Sequence, residues 1–159
     1  ESAAGIGKES FGSGARDTLF LLETELLPQV FSRFSLDSGT PVIVGGYSLA
    51  ALFALWCAYE SDRFSGAVCA SPSVWFPGWL DYARAHSPKA KRIYLSLGDC
   101  EERAKNRVLA SVGDCIRAQD ELLLADPSVR SVLEWNPGNH FCDPDLRCAK
   151  GFLWCMGEN

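Results

Sequence analysis

Apolar positions along this chain fall into two recurring patterns, helical stripes and short β-branched runs. Over residues 15–33 (ARDTLFLLETELLPQVFSR), Leu19, Leu22, Leu26, Val30 and Phe31 share one helical face. Pro28 lies inside that stripe, and its ring and missing N–H predict a kink or break there. Pro41 to Gly45 (PVIVG) is a compact apolar run closed by glycine, which predicts a buried strand. Leu49 to Tyr59 is apolar nearly all round and predicts a buried helix. Ala67 to Ala70 (AVCA), Ile93 to Leu97 (IYLSL) and Val132 to Trp135 (VLEW) supply three more strands. A surface helix ends near His86, a long amphipathic helix covers about Lys105 to Leu124, and a last helix roughly Pro144 to Met156. Strands that alternate with helices form βαβ units, so the fold class is α/β: a parallel sheet with helices on both faces.

Composition narrows the classes of function. The chain has 159 residues, 47% of them hydrophobic, which suits a single packed domain over residues 1–159. Its net charge of −5 comes from interspersed acids without a basic stripe, so no nucleic acid partner is expected. No apolar run approaches the ~18 to 20 residues of a membrane span, and no membrane partner is expected. The 7 cysteines contain no C-x-x-C pair. Cys57 and Cys69 sit in apolar runs, and Cys142, Cys148 and Cys155 match no common ligand spacing. We therefore expect reduced thiols in a cytoplasmic protein, with no metal and no cofactor.

In an open parallel sheet, chemistry collects beyond the carboxyl ends of the strands. The first strand is followed by Gly46-Tyr47-Ser48-Leu49-Ala50, a G-x-S-x-A form of the nucleophile elbow. That turn needs small residues two positions either side of the serine, which Gly46 and Ala50 are. It also places Ser48 at the amino end of a helix, where the Leu49 N–H is a natural oxyanion donor. Only two histidines exist. His86, in RAHSP, reads as a solvated helix end, whereas His140 follows the fourth strand in the loop NPGNH. Ser, then acid, then His is the chain order of a hydrolase-fold triad. Asp99, Glu101 and Glu102, after the third strand, compete for the acid that orients the histidine, and Glu101 is favoured.

Four segments, GYSLAALFALW, FSGAVCASPSVWF, IYLSLGDCEE and NPGNHF, carry a resemblance to the putative esterase family of α/β hydrolases. That family is similar to enterobactin-type siderophore esterases, S-formylglutathione hydrolases, feruloyl esterases and mycolyl transferases. The resemblance runs from about Phe11 to Trp154 and implies an α/β-hydrolase-like sheet. It maps the acid to Glu101 and implies a substrate pocket with Tyr47, Ser71, Pro72, Ser73 and Trp75. Ala50 stands where such elbows usually have a second glycine, Asn139 where a glycine commonly precedes the histidine, and Glu101 where many relatives have Asp.

The expected activity is hydrolysis of a small-molecule carboxylic ester through an acyl-enzyme on Ser48, His140 and Glu101. An acyltransferase on the same triad and a non-catalytic binding module are the alternatives. Residues 1–40 show no candidate strand, so the fold is expected to be truncated before the elbow strand, as the carboxyl-terminal part of a longer domain. The second oxyanion donor, which comes from a loop after an earlier strand, is then missing. Val42, Ile43 and Val44 would form an open apolar edge, to be completed by an amino-terminal segment or by self-association.

Overall fold

A computed structural model describes residues 13–157; the start of the family resemblance at Phe11 and both ends of the expected 1–159 domain lie outside the described residues. The chain divides into two compact units, Glu1–Pro41 and Val42–Asn159.

The described part of the first unit is helical, with α1 (Ala15–Leu21), a π-helical turn (Leu22–Leu26) and α2 (Leu27–Phe34) following without a break. The sequence predicts a kink or break at Pro28. The helix does not break there: Pro28 sits in the first turn of α2, and the departure from regular α-helix is the π-helical turn immediately before it. Ser35, in the left-handed conformation, ends the helix, its N–H closing onto Ser32 and that of Leu36 onto Phe31.

The second unit is a four-stranded parallel sheet in sequential order, β1 (Ile43–Tyr47), β2 (Gly66–Ala70), β3 (Arg92–Gly98) and β4 (Arg130–Asn136). Between the strands lie α3 (Leu49–Glu60), α4 (Trp79–Ala85), a 3₁₀ turn (Glu101–Arg103), α5 (Arg107–Ala110) and α6 (Val112–Leu124), and α7 (Pro144–Met156) follows β4. β1 begins two residues later than the PVIVG run predicts, because pairing with β2 starts at Ile43 opposite Gly66 and runs to Tyr47. The long helix expected over Lys105 to Leu124 is interrupted at Ser111. Asn106 caps the short first piece by accepting from the Val108 and Leu109 N–H groups.

Strand alternation sends side chains to two different layers. Ala67, Cys69, Ile93, Leu95 and Leu97 pack with Ala51, Leu55, Ala58, Trp79, Ile116 and Leu123 into the main core. Within it, buried Gln119 accepts from Trp79 Nε1 at 2.8 Å and donates to Tyr59 OH at 3.0 Å, tying α6 to α4 and α3. The opposite face carries Val68 and Tyr94 against Cys155 and Phe152 of α7. β2 is central and wholly buried, whereas every residue of β1 keeps some exposure. Among the described residues β1 has a strand neighbour on one side alone, β2.

Candidate active site

All four strands run the same way, so their carboxyl ends share one edge, and the loops leaving them are stitched together by backbone. Ser48 N–H donates to Ala70 O, Ser71 N–H to Ser96 O, and Asp99 N–H to Asn136 O, at 3.1, 2.8 and 2.9 Å. Each loop thus starts with the position of its first residue fixed by the neighbouring strand.

Ser48 sits between β1 and α3 with φ 60° and ψ −119°, a strained backbone for a residue with a side chain. A Cβ added to Gly46 would meet the Ala50 backbone at 2.5 Å, so only glycine lets the strand pass the first turn of α3. Leu49 opens α3, where first-turn N–H groups have no carbonyl one turn earlier, and its side chain is exposed.

His140 reaches back over this turn. Its Nε2 lies 3.2 Å from Ser48 Oγ, and its Nδ1 lies 2.7 Å from Glu101 Oε2. The two rival carboxylates are engaged elsewhere. Asp99 accepts from the Gly138 N–H at 2.9 Å and from the Cys100 thiol at 3.2 Å, tying the two loops together. Glu102 pairs with Arg117 at 2.8 Å. His86 ends α4, stacked on Tyr82 with Nδ1 2.8 Å from the Tyr82 carbonyl.

Glu101 is buried and its two oxygens have different partners. Oε1 accepts from Gly98 N–H at 2.7 Å, Ser71 Oγ at 2.6 Å and Arg147 Nη2 at 3.0 Å, leaving Oε2 to face His140. Burial pushes this carboxyl upward, but the hydrogen bonds from His140, Ser71, Gly98 and Arg147 outweigh it and bring it down to about 2. Glu101 is therefore ionised at neutral pH and can only accept. Nδ1 must carry the proton, and Nε2 is left to accept from the Ser48 hydroxyl. Such a chain can take a proton from the serine and stabilise the imidazolium that results.

The expected pocket residues take several positions. Tyr47 and Ser71 lie in the polar network beneath the three side chains, with Tyr47 OH donating to His140 O at 2.6 Å. Ser73 is buried, and its N–H donates to Ser48 O at 3.2 Å; Pro72 beside it is fully buried. Trp75 is half-buried against the main core, next to Phe76. Phe141, 85% exposed, meets the His140 ring edge-on. A groove lined by Tyr94, Glu134, Trp135, Lys150 and Trp154 lies along β4 and contains none of the three side chains. Among the described residues no group of three or more His, Cys, Asp or Glu could hold a metal ion.

Arg147 escaped the sequence reading. A trace of it is visible there: Arg147, Gly151 and Cys155 recur every fourth residue, and all three are buried on one stripe of α7. A charge on a buried stripe demands a counter-charge, but nothing local names it.

The Putative esterase family matches residues 8–130, and the chain belongs to that family. Among solved structures it is similar to siderophore hydrolase EstA from Aspergillus nidulans, with a TM-score of 0.74 and 22% identity over 94% of this chain and 59% of that one. Siderophore hydrolase EstB from the same organism gives a TM-score of 0.70 and 18% identity over 94% of this chain and 61% of that one. BES protein from Bacillus cereus gives 0.66 and 18%, over 97% and 63% of the two chains. The α/β-hydrolase-like fold is thereby shared, and the chain spans about three-fifths of the length of these structures. No match was found among curated proteins.

Proposed function

We propose that this chain carries the triad of a serine hydrolase that cleaves small-molecule carboxylic esters. The observation behind the proposal is the relay from Ser48 Oγ through His140 to a buried, ionised Glu101, at 3.2 and 2.7 Å. His140 Nε2 takes the Ser48 proton as Oγ attacks the ester carbonyl, and the Leu49 N–H stabilises the oxyanion. The imidazolium then gives its proton to the departing alcohol, leaving an acyl-enzyme. Water, activated by the same Nε2, attacks that acyl group and releases the carboxylic acid. Glu101 keeps the proton on Nδ1 throughout. Trp75, Phe141 and Leu49 offer apolar surface near this site to the substrate.

EstA and EstB are siderophore hydrolases, so ester-linked siderophores are the first substrates to try. The cysteines, free thiols among the described residues, support the cytoplasmic location expected from the sequence. The test is labelling with a fluorophosphonate probe followed by mapping of the modified residue. Modification of Ser48, abolished by prior boiling, is the expected result. An unmodified Ser48 in folded protein would remove the proposal.

A further inference from the structure

Arg147 is 1% exposed and makes no use of solvent. An ionised group so placed requires a partner of opposite charge and hydrogen bonds for its donors. The counter-charge is Glu101, through Nη2 at 3.0 Å, and the same nitrogen donates to Ser71 Oγ, which itself donates to Glu101. The other branch of the fork, Nη1, donates to Tyr47 OH at 2.9 Å, and that hydroxyl donates to the His140 carbonyl at 2.6 Å. The guanidinium also lies 5.5 Å from the centre of the Tyr47 ring. One side chain on α7 therefore reaches the acid directly and the histidine's own backbone through a single phenol. Tyr47 is in turn the residue before Ser48.

We propose that Arg147 is a positioning residue for the triad, clamping Glu101 Oε1 so that Oε2 faces His140 while Tyr47 relays the hold to the His140 loop. This rests on the serine hydrolase reading above. A glutamate has one more rotatable bond than an aspartate, so a glutamate acid has more ways to turn from the histidine. Three donors converging on Oε1 remove that freedom and leave one oxygen for Nδ1. The fork geometry matters because two branches must serve two targets, which an ammonium on a flexible stem does not reproduce. The positive charge also offsets part of the carboxylate's negative charge.

The experiment measures fluorophosphonate labelling rate against pH for the full chain, in wild type, Arg147→Met, Arg147→Lys and Tyr47→Phe, with folding followed by circular dichroism. In Arg147→Met the rate at neutral pH should fall roughly 10- to 100-fold, as for groups that act through a reacting group's neighbour. Its acid limb should move to higher pH, because the carboxylate left without Arg147 attracts the positive charge on the imidazole more strongly. Arg147→Lys should keep the limb in place and still lose rate, and Tyr47→Phe should lose rate without moving the limb. A folded Arg147→Met that labels like wild type overturns the proposal, as does a loss of rate with an unmoved limb. If Arg147→Met does not fold, wild-type rates in both Arg147→Lys and Tyr47→Phe overturn it. Absence of labelling in wild type, or labelling that persists in Ser48→Ala, is instead the failure of the serine hydrolase reading.

Discussion

On its Nδ1 side His140 meets a buried carboxylate fixed by three donors besides the histidine, whereas on its Nε2 side it meets a serine beside open surface. The acid side is closed: the Glu101 side chain is 4% exposed and that of Arg147 1%. The nucleophile side is not: the His140 side chain is 34% exposed, and Leu49 and Phe141 face outward. Strand burial follows the same division, since Glu101 and Ser71 leave the buried ends of β3 and β2, whereas Ser48 leaves half-exposed β1. The difference teaches that the groups orienting His140, the proposed base, all come from residues 42–157. In the proposed mechanism, stabilisation of the oxyanion has one named donor there, the Leu49 N–H.

The comparison breaks first if the three side chains do not act as a unit. Ser48→Ala and His140→Ala should each lower kcat by on the order of 10⁶, with either one about as damaging as both together. Near wild-type ester turnover by a folded single variant removes the triad. The acid side is probed next. Glu101→Gln should reduce kcat by roughly 10⁴, since the neutral amide no longer fixes the imidazole tautomer. Asp99→Asn and Glu102→Gln should change it far less, because those carboxylates hold Gly138 and Arg117. If Asp99 proves the sensitive position, the assignment moves there.

The open side is sharpened by measuring the 159-residue chain itself. A site with one oxyanion donor of two turns over about 10² to 10³ more slowly. The chain alone should therefore be a weak esterase, or should associate through the edge of β1 that has no strand neighbour among the described residues. Mass, solution size and kcat/KM decide this. A stable monomer with efficient turnover means that the 159-residue chain already supplies both donors.

The smallest expected effect is on stability against pH. Glu101 sits at about 2 in the folded chain against an ordinary 4.5, so it binds its proton less readily folded than unfolded. Its contribution to stability is therefore fully present above about 4.5 and is lost as pH falls from there towards 2. Thermal midpoints between pH 6 and pH 2 should fall more steeply in wild type than in Glu101→Gln. Parallel curves would mean that the carboxylate is no better stabilised folded than unfolded.

By itself the sequence determined the alternation of strands and helices, since short β-branched runs and apolar stripes bury themselves in only a few ways. It also determined the order of serine, acid and histidine, and the small residues a tight strand-to-helix turn requires. Element ends were less legible. Pairing with β2, which no local pattern encodes, set the start of β1, and near Pro28 the departure from regular helix is a π-helical turn rather than a break. The sequence favoured Glu101 among three neighbouring carboxylates, but only tertiary structure shows why the other two do not face His140: Gly138 and Arg117, distant in the chain, claim them. Tertiary structure alone revealed Arg147, whose partners Tyr47, Ser71 and Glu101 come from three separate strand ends. Local sequence carries the backbone's preferences, but a buried charge is matched by whatever the fold brings beside it, and that is a long-range fact.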